Sequence, residues 1–510
     1  MFGIYEMLRV NASAIPEKTA LIQGDMRVSY GSLFQAVEKM ADGLSNYGLR
    51  AGDKVAVLFK NSIRLIELYF SLLRLGAVIS PLNFRETPEM IRNLTDLVEA
   101  DVLIYEEALS GVAVSAAALD GRKLKLIANG DAVVGDDISL KTILSQEHPN
   151  TEAVQHNFDD IVLNIFTGGT TGIPKAASHT YGGLFLQAVT GYMSEAAIHP
   201  SDVYLNYAPL FHIGGFTTMV QSLCCGATFI LHNGFSAEKI VELIEREHVT
   251  QTMLIPPTLC FDLKKIENFD SERLKSVRLV RLAGANASTD NLQAVFECFP
   301  NADVFNGYGM SERATNIVCI IKRGEKPPVY NENLCVGRLS PFSEARIIDD
   351  EGKEVTAIGE CGELFGRSPC MMKSYYGVKN VFTPDGWFPT GDIFTRDENG
   401  YFYFVGRKKN MIKTGGENVY SSEVERAILM HPAVEECAVL KIKDEKYGEA
   451  IGAAIVLKNN HEAVTEQEII EHCCKYIASY KKPRRIVFVR ELPHSGVGKI
   501  SETEITKLFL

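Results

Sequence analysis

One stretch of the chain predicts both a fold and a binding loop, and it reads Ile161-Val162-Leu163-Asn164-Ile165-Phe166-Thr167-Gly168-Gly169-Thr170-Thr171-Gly172-Ile173-Pro174-Lys175. Its first half is an apolar run with β-branched residues, which is typical of a buried strand. Its second half combines three glycines, three threonines and one lysine, which is typical of a loop. Glycines let backbone N–H groups approach an anion closely, and the hydroxyls and the ammonium add further donors. The stretch therefore predicts a strand that leads into a polyphosphate-binding loop.

Two other interpretations of this loop have to be weighed. The P-loop of nucleoside triphosphatases requires G-x-x-x-x-G-K-[ST]. Here Gly172 is followed by Ile173-Pro174-Lys175, and Ala176 stands where a metal-binding hydroxyl would be needed. Pro174 also disfavours a helix through Ile173, so the P-loop interpretation fails. A glycine- and threonine-rich surface turn is the plain alternative, and the loop taken alone does not exclude it.

Length and composition limit the class of protein. A chain of 510 residues exceeds what one hydrophobic core usually holds, so two or more domains are expected. The net charge of −12 argues against a general nucleic-acid binder, which would carry a basic surface. Eleven scattered cysteines without a C-x-x-C spacing indicate reduced thiols in a cytoplasmic protein. No signal peptide and no transmembrane segment are expected, because no apolar run is long enough.

Strand and helix patterns alternate through the first three fifths of the chain. Strands are predicted over 54–59, 77–80, 203–208, 227–231, 252–255 and 277–282, and helices over 32–47, 62–75, 237–247 and 291–299. Such alternation indicates βαβ units on largely parallel sheets. We therefore expect a large N-terminal α/β domain.

The pattern changes after about residue 327. Short alternating runs over 345–348, 363–366 and 401–405 predict a small antiparallel or barrel-like β region. The last hundred residues then predict helix 422–430, strands 436–442 and 451–457, helix 466–479 and strand 486–489. We expect domain boundaries of 1–408 for the large domain and 409–510 for a small α+β lid domain, with a hinge near Lys409.

Four further segments combine glycines with polar or charged side chains: Asn306-Gly307-Tyr308-Gly309-Met310-Ser311-Glu312, Asp385-Gly386-Trp387-Phe388-Pro389-Thr390-Gly391-Asp392, Gly406-Arg407-Lys408-Lys409-Asn410-Met411-Ile412-Lys413-Thr414-Gly415-Gly416, and Leu492-Pro493-His494-Ser495-Gly496-Val497-Gly498-Lys499-Ile500. Each residue type suits a nucleotide: a carboxylate can hold a divalent cation or accept hydrogen bonds from a vicinal diol, and a lysine can neutralise phosphate. Taken singly, each segment could be an ordinary turn or a solvated charged linker.

Together and in this order, the five motifs resemble those of the adenylate-forming superfamily, and the likeness spans essentially the whole chain. That superfamily contains acyl-CoA synthetases, amino-acid-activating domains of peptide synthetases and firefly-type luciferases. The chain departs from the usual pattern at Gly168, Ala176, Ser311, Pro389 and Asn410, where Ser, Gly, Thr, a basic residue and an acidic residue are commoner.

The resemblance implies a site for Mg·ATP. The residues that it assigns to ATP or AMP are Thr167, Gly168, Gly169, Thr170, Thr171, Gly172, Lys175, Gly284, Ala285, Asn306, Gly307, Tyr308, Ser311, Asp392 and Arg407. It assigns Glu312 and Thr170 to Mg²⁺. In the family, Tyr308 would stack on adenine, Asp392 would accept from the ribose hydroxyls, and Arg407 would hold ribose and phosphate oxygens.

The resemblance also implies an acyl pocket and a thiol channel. The residues implied for the acyl pocket are His212, Gly214, Gly215, Gly309 and Met310, and those for coenzyme A are Lys413, Gly415 and Gly416. The catalytic residues would be Lys499, Glu312 and the hinge residue Lys409. Lys499 would neutralise the carboxylate and the α-phosphate during adenylation.

The implied activity is a two-step ligation that uses ATP, Mg²⁺ and coenzyme A. A carboxylic acid and ATP would give acyl-AMP and pyrophosphate, and acyl-AMP and coenzyme A would then give acyl-CoA and AMP. Transfer to a carrier-protein phosphopantetheine is the alternative, and a nucleotide-binding pseudoenzyme is disfavoured because Glu312, Asp392, Arg407 and Lys499 are all present. No aspartate lies within 211–218, which disfavours an amino-acid substrate, but the acid itself stays open. Nucleic-acid partners are not expected, and homodimer formation and peripheral membrane contact are left open.

Overall fold

The computed structural model describes residues 1–130, 138–167, 174–193, 196–255, 257, 259–313, 317–330, 333–414, 417–444, 448–458, 464–493 and 501–509. The chain forms two compact units. Unit 1 contains Met1–Ala345 and Gly366–Phe388, and unit 2 contains Arg346–Phe365 and Pro389–Leu510. The boundary expected between residues 408 and 409 stays a prediction.

The described helices, in chain order, are α1 Ile4–Ala14, α2 Tyr30–Tyr47, α3 Ile63–Leu75, α4 Pro88–Leu97, α5 Ser110–Ala118, α6 Leu140–Ser145, α7 Tyr181–Tyr192, α8 Ile213–Cys225, α9 Ala237–Glu247, α10 Leu259–Lys264, α11 Thr289–Cys298, α12 Ser421–Leu429, α13 Glu466–Cys473 and α14 Glu502–Lys507. Short 3₁₀ turns span Glu107–Leu109, Ser271–Leu274, Lys408–Asn410 and Ser479–Lys481. None of the described helices has the length and apolar character needed to cross a bilayer.

The described strands of the first three fifths are β1 Thr19–Gln23, β2 Met26–Ser29, β3 Lys54–Leu58, β4 Val78–Pro81, β5 Val102–Glu106, β6 Lys125–Asn129, β7 Ile138–Ser139, β8 Ile161–Thr167, β9 Lys175–Thr180, β10 Val203–Asn206, β11 Thr228–Leu231, β12 Gln251–Leu254, β13 Leu279–Leu282 and β14 Asp303–Tyr308. Those that follow are β15 Ile317–Ile321, β16 Val329–Tyr330, β17 Asn333–Leu334, β18 Arg338–Leu339, β19 Glu344–Ile348, β20 Gly362–Arg367, β21 Ser374–Tyr375, β22 Phe388–Arg396, β23 Phe402–Arg407, β24 Met411–Thr414, β25 Glu417–Tyr420, β26 Val434–Asp444, β27 Gly448–Leu457 and β28 Arg485–Val489.

Unit 1 is built on two large sheets, as the alternation of strands and helices predicts. One has the order β18-β15-β14-β13-β12-β10-β11-β1-β2, and its strands from β14 to β1 run parallel. The other has the order β21-β9-β8-β4-β3-β5-β6-β7, and its strands from β8 to β7 run parallel. Parallel strands need crossover connections, which the intervening helices supply.

Helix α3 illustrates how local sequence sets an element that packs in this core. The Ser62 hydroxyl accepts from the Leu65 N–H at its start, and Gly76 ends it in the left-handed region at φ +73°. Between these caps its leucines are buried, for example Leu68 and Leu72 at 0% exposure. Burial of one such side chain contributes roughly 1.5–3 kcal/mol to folding.

Unit 2 contains most of the four-stranded sheet β19-β20-β22-β23, in the region where short alternating runs predict a small β structure. A second sheet has the order β25-β24-β27-β26, and β28 pairs with β27 in parallel. Helices α12 and α13 pack on it through apolar residues such as Val424, Ile428 and Ile469. This arrangement agrees with the predicted α+β class of the C-terminal region.

The helix predicted over 466–479 is too long. The structure ends α13 at Cys473, and the next residues form turns in which the Tyr476 and Ile477 N–H groups both donate to the Cys473 carbonyl. These turns bring Ile477 back against the core that Ile469 and Cys473 occupy. Packing of Ile477 therefore takes precedence over continuation of the helix.

Candidate active site

The predicted phosphate loop is carried by a β-hairpin. Strands β8 and β9 pair antiparallel, and Thr167 lies directly opposite Lys175 at the open end. The chain continues from Pro174 as a strand, which agrees with the rejection of a P-loop, where a helix would follow. Five residues predicted to bind phosphate in this loop lie outside the described residues, namely Gly168, Gly169, Thr170, Thr171 and Gly172.

A buried hydrogen-bond relay joins this hairpin to the neighbouring strand β4. The Ser178 hydroxyl donates to Asn164 Oδ1 at 2.7 Å, and Asn164 Nδ2 donates to the Ser80 hydroxyl at 3.1 Å. All three side chains are almost fully buried. Since buried polar groups are costly unless paired, the relay fixes how the three strands align.

Three other predicted segments leave the nine-stranded sheet at one edge. His212 follows β10, Gly284 and Ala285 follow β13, and the segment from Gly307 to Glu312 ends and follows β14. These strands are parallel, so their carboxyl ends share an edge. Ligands of open α/β sheets bind at this edge.

The segment after β14 is set by close backbone packing. A Cβ on Gly307 would lie 2.4 Å from Phe305 Cε1, so any larger residue would require that ring to move. The Asn306 side chain is buried and donates through Nδ2 to the Cys335 carbonyl at 2.8 Å. Tyr308 and Ser311 are partly buried. The roles of these residues toward a nucleotide stay predictions.

Glu312 is the chemically informative residue of this segment. Its carboxylate is buried, and the Tyr375 hydroxyl donates to Oε1 at 2.5 Å. Among the described residues, no lysine, arginine or histidine lies within ion-pair distance of Glu312. A buried carboxylate without a positive partner is costly, so this donor fits a divalent cation such as Mg²⁺.

Lys175 contacts the ring of the same tyrosine. The Lys175 ammonium lies 4.8 Å from the centre of the Tyr375 ring. Burial, and then the charge of Glu312, raise the pKa of Tyr375, so its hydroxyl stays a proton donor. Tyr375 therefore connects the lysine of the phosphate loop to the candidate metal ligand.

The residues predicted for the acyl pocket lie at two places on this edge. His212 precedes α8, and its ring lies 4.4 Å from that of Phe211. Gly214 is exposed, whereas a Cβ on Gly215 would lie 2.4 Å from the Pro209 carbonyl oxygen. Gly309 is exposed in the segment after β14, and Met310 packs against the apolar cluster that contains Tyr375.

In unit 2 the structure brings the predicted ribose-binding pair together. Asp392 and Arg407 are direct partners across β22 and β23, and Arg407 Nε lies 3.0 Å from Asp392 Oδ1. The Asp392 side chain is 1% exposed, whereas that of Arg407 is 51% exposed. Gly391, at φ +73°, turns the backbone before Asp392, and its N–H donates to Glu363 Oε1 at 3.0 Å. A buried carboxylate paired with an accessible guanidinium can bind a diol and a phosphate.

The residues around the predicted hinge are exposed. Lys408 pairs with Glu363 at 2.8 Å, and this hydrogen bond raises the pKa of Lys408. Lys409 follows in the 3₁₀ turn and is exposed. Lys413 is exposed on β24, while its backbone N–H donates to Glu449 Oε2 at 2.8 Å.

Two of the predicted sites fall outside the described residues. Gly415 and Gly416 are flanked by Thr414 and Glu417, which pair as the ends of β24 and β25. Lys499 is flanked by Pro493 and Ser501, whose carbonyl and N–H form a hydrogen bond of 2.8 Å.

Sequence reasoning missed three residues that hold the candidate site. Tyr375 binds Glu312, Glu363 accepts from Gly391 and Lys408, and the Thr390 hydroxyl donates to the Leu364 carbonyl beneath Asp392. Tyr375 and Glu363 lie outside the five motifs, and Thr390 lies in a motif whose spacing does not indicate Leu364 as its partner. Only the pairing of distant strands reveals their role.

Comparison with known proteins places the chain in a family. The sequence model of the AMP-binding enzymes matches residues 8–376, and that of the AMP-binding enzyme C-terminal domain matches residues 423–499. A feruloyl-CoA synthase from Amycolatopsis is 32% identical over 97% of this chain and 96% of its own length. The long-chain-fatty-acid–CoA ligase FadD13 from Mycobacterium tuberculosis is 31% identical over 100% of this chain and 99% of its own.

Solved structures are similar over the whole chain as well. ATP-bound MatB from Rhodopseudomonas palustris has a TM-score of 0.88 at 25% identity, and covers 100% of this chain and 99% of its own. The o-succinylbenzoate CoA synthetase from Bacillus subtilis, in complex with its acyl-adenylate intermediate, has a TM-score of 0.83 at 26% identity. It covers 98% of this chain and 97% of its own. The chain therefore belongs to the AMP-binding enzymes of the adenylate-forming superfamily, as an acyl-CoA synthetase, which confirms the resemblance of its motifs.

Proposed function

We propose which site residues act in each of the two half-reactions of this carboxylate–CoA ligase. In the first, the substrate carboxylate attacks the α-phosphorus of ATP, and pyrophosphate leaves. In the second, the thiol of coenzyme A attacks the acyl carbon, and AMP leaves. The observation that carries the proposal is the buried Glu312 carboxylate, held by Tyr375 beside Lys175.

The adenylation half-reaction brings two anions together, so positive charge has to be placed between them. Glu312 and Thr170 would hold Mg²⁺, which when bound offsets the repulsion between the carboxylate and the phosphates. Lys175 and the loop 168–172 would hold the β- and γ-phosphates, and Lys499 would bind the carboxylate and α-phosphate. Each positive group acts on charge that is present in the transition state.

The nucleoside is proposed to contact residues of several of the motifs. Gly284, Ala285 and Tyr308 would flank adenine, as their place at the carboxyl edge of the parallel strands supports. Asp392 would accept from the two ribose hydroxyls, and Arg407 would donate to ribose and phosphate oxygens. The ion pair of 3.0 Å supports this, because it orients the carboxylate and the guanidinium.

The thioester half-reaction is proposed to use a different part of the lid from the part that carries Lys499. Gly415 and Gly416 would let the pantetheine thiol pass the backbone, and Lys413 would face coenzyme A. Lys499 and this glycine pair would each act at the same acyl group, Lys499 in the first half-reaction and the glycines in the second. The lid would therefore rotate about Lys409 between the two steps. The exposure of Lys409 in a short 3₁₀ turn is compatible with that role.

The substrate is proposed to be a carboxylic acid of fatty or aryl type. The similar enzymes are named for feruloyl, long-chain fatty acyl and succinylbenzoate groups, which share only the carboxylate. A library of carboxylic acids, assayed for AMP release with and without coenzyme A, would identify the acid. Acid-dependent pyrophosphate release without coenzyme-A-dependent AMP release would favour a carrier-protein acceptor.

We also infer a cytoplasmic location. All eleven cysteines lie in the described part of the chain, and none is in a disulfide, which is usual in a reducing compartment. A homodimer stays an open proposal, which size-exclusion chromatography with light scattering would test.

Replacement of Lys499 by alanine tests the division of roles. Adenylation, measured as acid-dependent pyrophosphate release, should fall at least about a hundredfold, because removal of one preorganised charge costs this much. Thioester formation from supplied acyl-AMP should fall less than about fivefold. Lys475→Ala, at an exposed position outside the motifs, is the matched control. Equal loss of both half-reactions would contradict the assignment.

A further inference from the structure

We propose that Tyr375 is a positioning residue, whose hydroxyl orients the Glu312 carboxylate for the metal ion and whose ring holds the Lys175 ammonium toward the phosphates. The inference rests on the roles proposed above for Glu312 and Lys175. It adds a residue that lies in none of the motifs, and it explains how a side chain of β9 and one from the segment after β14 are held in one arrangement.

Strand pairing places the three side chains together. Tyr375 lies on β21, opposite Ala177 of β9. Lys175 and Ala177 are two residues apart on β9, so their side chains share one face of the sheet. Glu312 reaches this face because its backbone carbonyl accepts from the Met372 N–H at 2.9 Å, just before β21.

The tyrosine ring is itself fixed by its surroundings. Tyr375 is buried in an apolar cluster with Ala177, Met372 and Phe388, and its ring meets that of Phe388 edge-on at 6.4 Å. A side chain held in this way can orient its neighbours without losing conformational freedom when substrate binds. The hydroxyl therefore has one stable direction, toward Glu312.

Tyr375 contacts one negatively charged side chain through its hydroxyl and one positively charged side chain through its ring. The hydroxyl donates to Glu312 Oε1, which leaves Oε2 to face a cation. The negative face of the ring attracts the ammonium of Lys175, so the lysine is held at the ring and not in an ion pair with Glu312. Glu312 thus stays available for Mg²⁺, and Lys175 for phosphate.

The neighbouring residue Tyr376 provides a matched control. Its hydroxyl also contacts a carboxylate and a lysine, since it donates to Glu99 at 2.8 Å and accepts from Lys54 at 2.6 Å. This second set lies partly exposed and contains no residue of the candidate site. Tyr376→Phe therefore removes a similar hydrogen bond from the same segment of chain without touching Glu312.

The experiment compares Tyr375→Phe, Tyr375→Leu, Tyr376→Phe and Glu312→Gln in the full-length protein. Binding of Mn²⁺ in the presence of a non-hydrolysable ATP analogue is measured by electron paramagnetic resonance, which needs no turnover. Tyr375→Phe should weaken Mn²⁺ binding about tenfold, because it removes one hydrogen bond to a charged group. It keeps the ring, so binding of the analogue without metal should be unchanged.

Tyr375→Leu also removes the ring, and should weaken metal-free binding of the analogue about threefold more than Tyr375→Phe does. Kinetically, Tyr375→Phe should raise the Mg²⁺ concentration for half-maximal adenylation more than it lowers the rate at saturating Mg²⁺. Tyr376→Phe should leave all these values unchanged.

The outcomes separate this inference from the proposed function. If Glu312→Gln weakens Mn²⁺ binding and Tyr375→Phe does not, the positioning role is wrong and the metal site stands. If neither variant weakens it, the assignment of Glu312 to the metal is wrong, and the inference falls with it. If Tyr376→Phe matches Tyr375→Phe, the effect comes from the stability of the segment, and the positioning role is again wrong.

Discussion

His179 shows what burial does to a single side chain of this chain. It lies on β9, two residues beyond Ala177, and is 1% exposed. Burial, together with the positive charge of Arg313, lowers the pKa of His179 to about 3. Arg313 is itself buried, which lowers its pKa to about 10. The imidazole is therefore neutral in the folded protein at every pH at which the enzyme would work.

This shift predicts a pH dependence of stability. The unfolded chain binds a proton at His179 below about pH 6.5, whereas the folded chain does so only below about pH 3. Between these values unfolding takes up a proton, so the free energy of unfolding falls as the pH falls. At pH 5 the loss attributable to His179 is about 2 kcal/mol.

His179→Leu should therefore reduce the drop in melting temperature between pH 7 and pH 5 relative to wild type, as measured by differential scanning fluorimetry. Other groups titrate in the same range, so the difference between the two proteins carries the test. An equal drop in both would mean that the imidazole is protonated in the folded state or is not buried.

The β8–β9 hairpin is the element on which the phosphate loop depends. Its two strands pair from Ile161 to Thr167, and the relay through Asn164 connects them to β4. A hairpin alone is only marginally stable in water, so the loop gains its fixed base from the third strand. The hairpin that carries the predicted phosphate loop is thus anchored by a third strand.

Asn164→Ala should damage this support. It leaves the hydroxyls of Ser80 and Ser178 without their partner in a fully buried position, which costs about 1–3 kcal/mol. We expect the melting temperature to fall by several degrees and the KM for ATP in adenylation to rise. Asn301→Ala, which removes an exposed asparagine that donates to the Lys275 carbonyl, is the control. A variant with wild-type stability would show that the relay does not hold the hairpin.

At the scale of the whole molecule, the distribution of cysteines reports on packing in both units. Cys361 and Cys474 are exposed, and the other nine are buried. Burial also raises the pKa of buried thiols, for example to about 12 for Cys298 and to about 11 for Cys260 and Cys473. Since the thiolate is the reactive form, the buried cysteines are protected from thiol reagents both by burial and by their raised pKa.

Titration of the native protein with Ellman's reagent should therefore modify two cysteines quickly, and all eleven only after denaturation. The double variant Cys361→Ser/Cys474→Ser should show no fast phase and keep its melting temperature. Four or more fast thiols in the native protein would mean that one of the cores is open in solution.

The sequence alone determined the features that depend on near neighbours. Periodicity predicted α2, α3 and α9 closely, because the spacing of apolar side chains along a helix is a local property of the sequence. Pro174 excluded the P-loop for an equally local reason. The order of motifs identified the superfamily, since each motif is continuous in the chain.

Only the tertiary structure decided which distant residues meet. Tyr375 lies opposite a residue of β9 almost two hundred positions earlier, and Glu363 reaches both Gly391 and Lys408. The end of α13 at Cys473 and the neutral state of His179 follow from packing as well. The physical reason is that strand order and burial belong to the folded sheets, and no spacing along the chain encodes them.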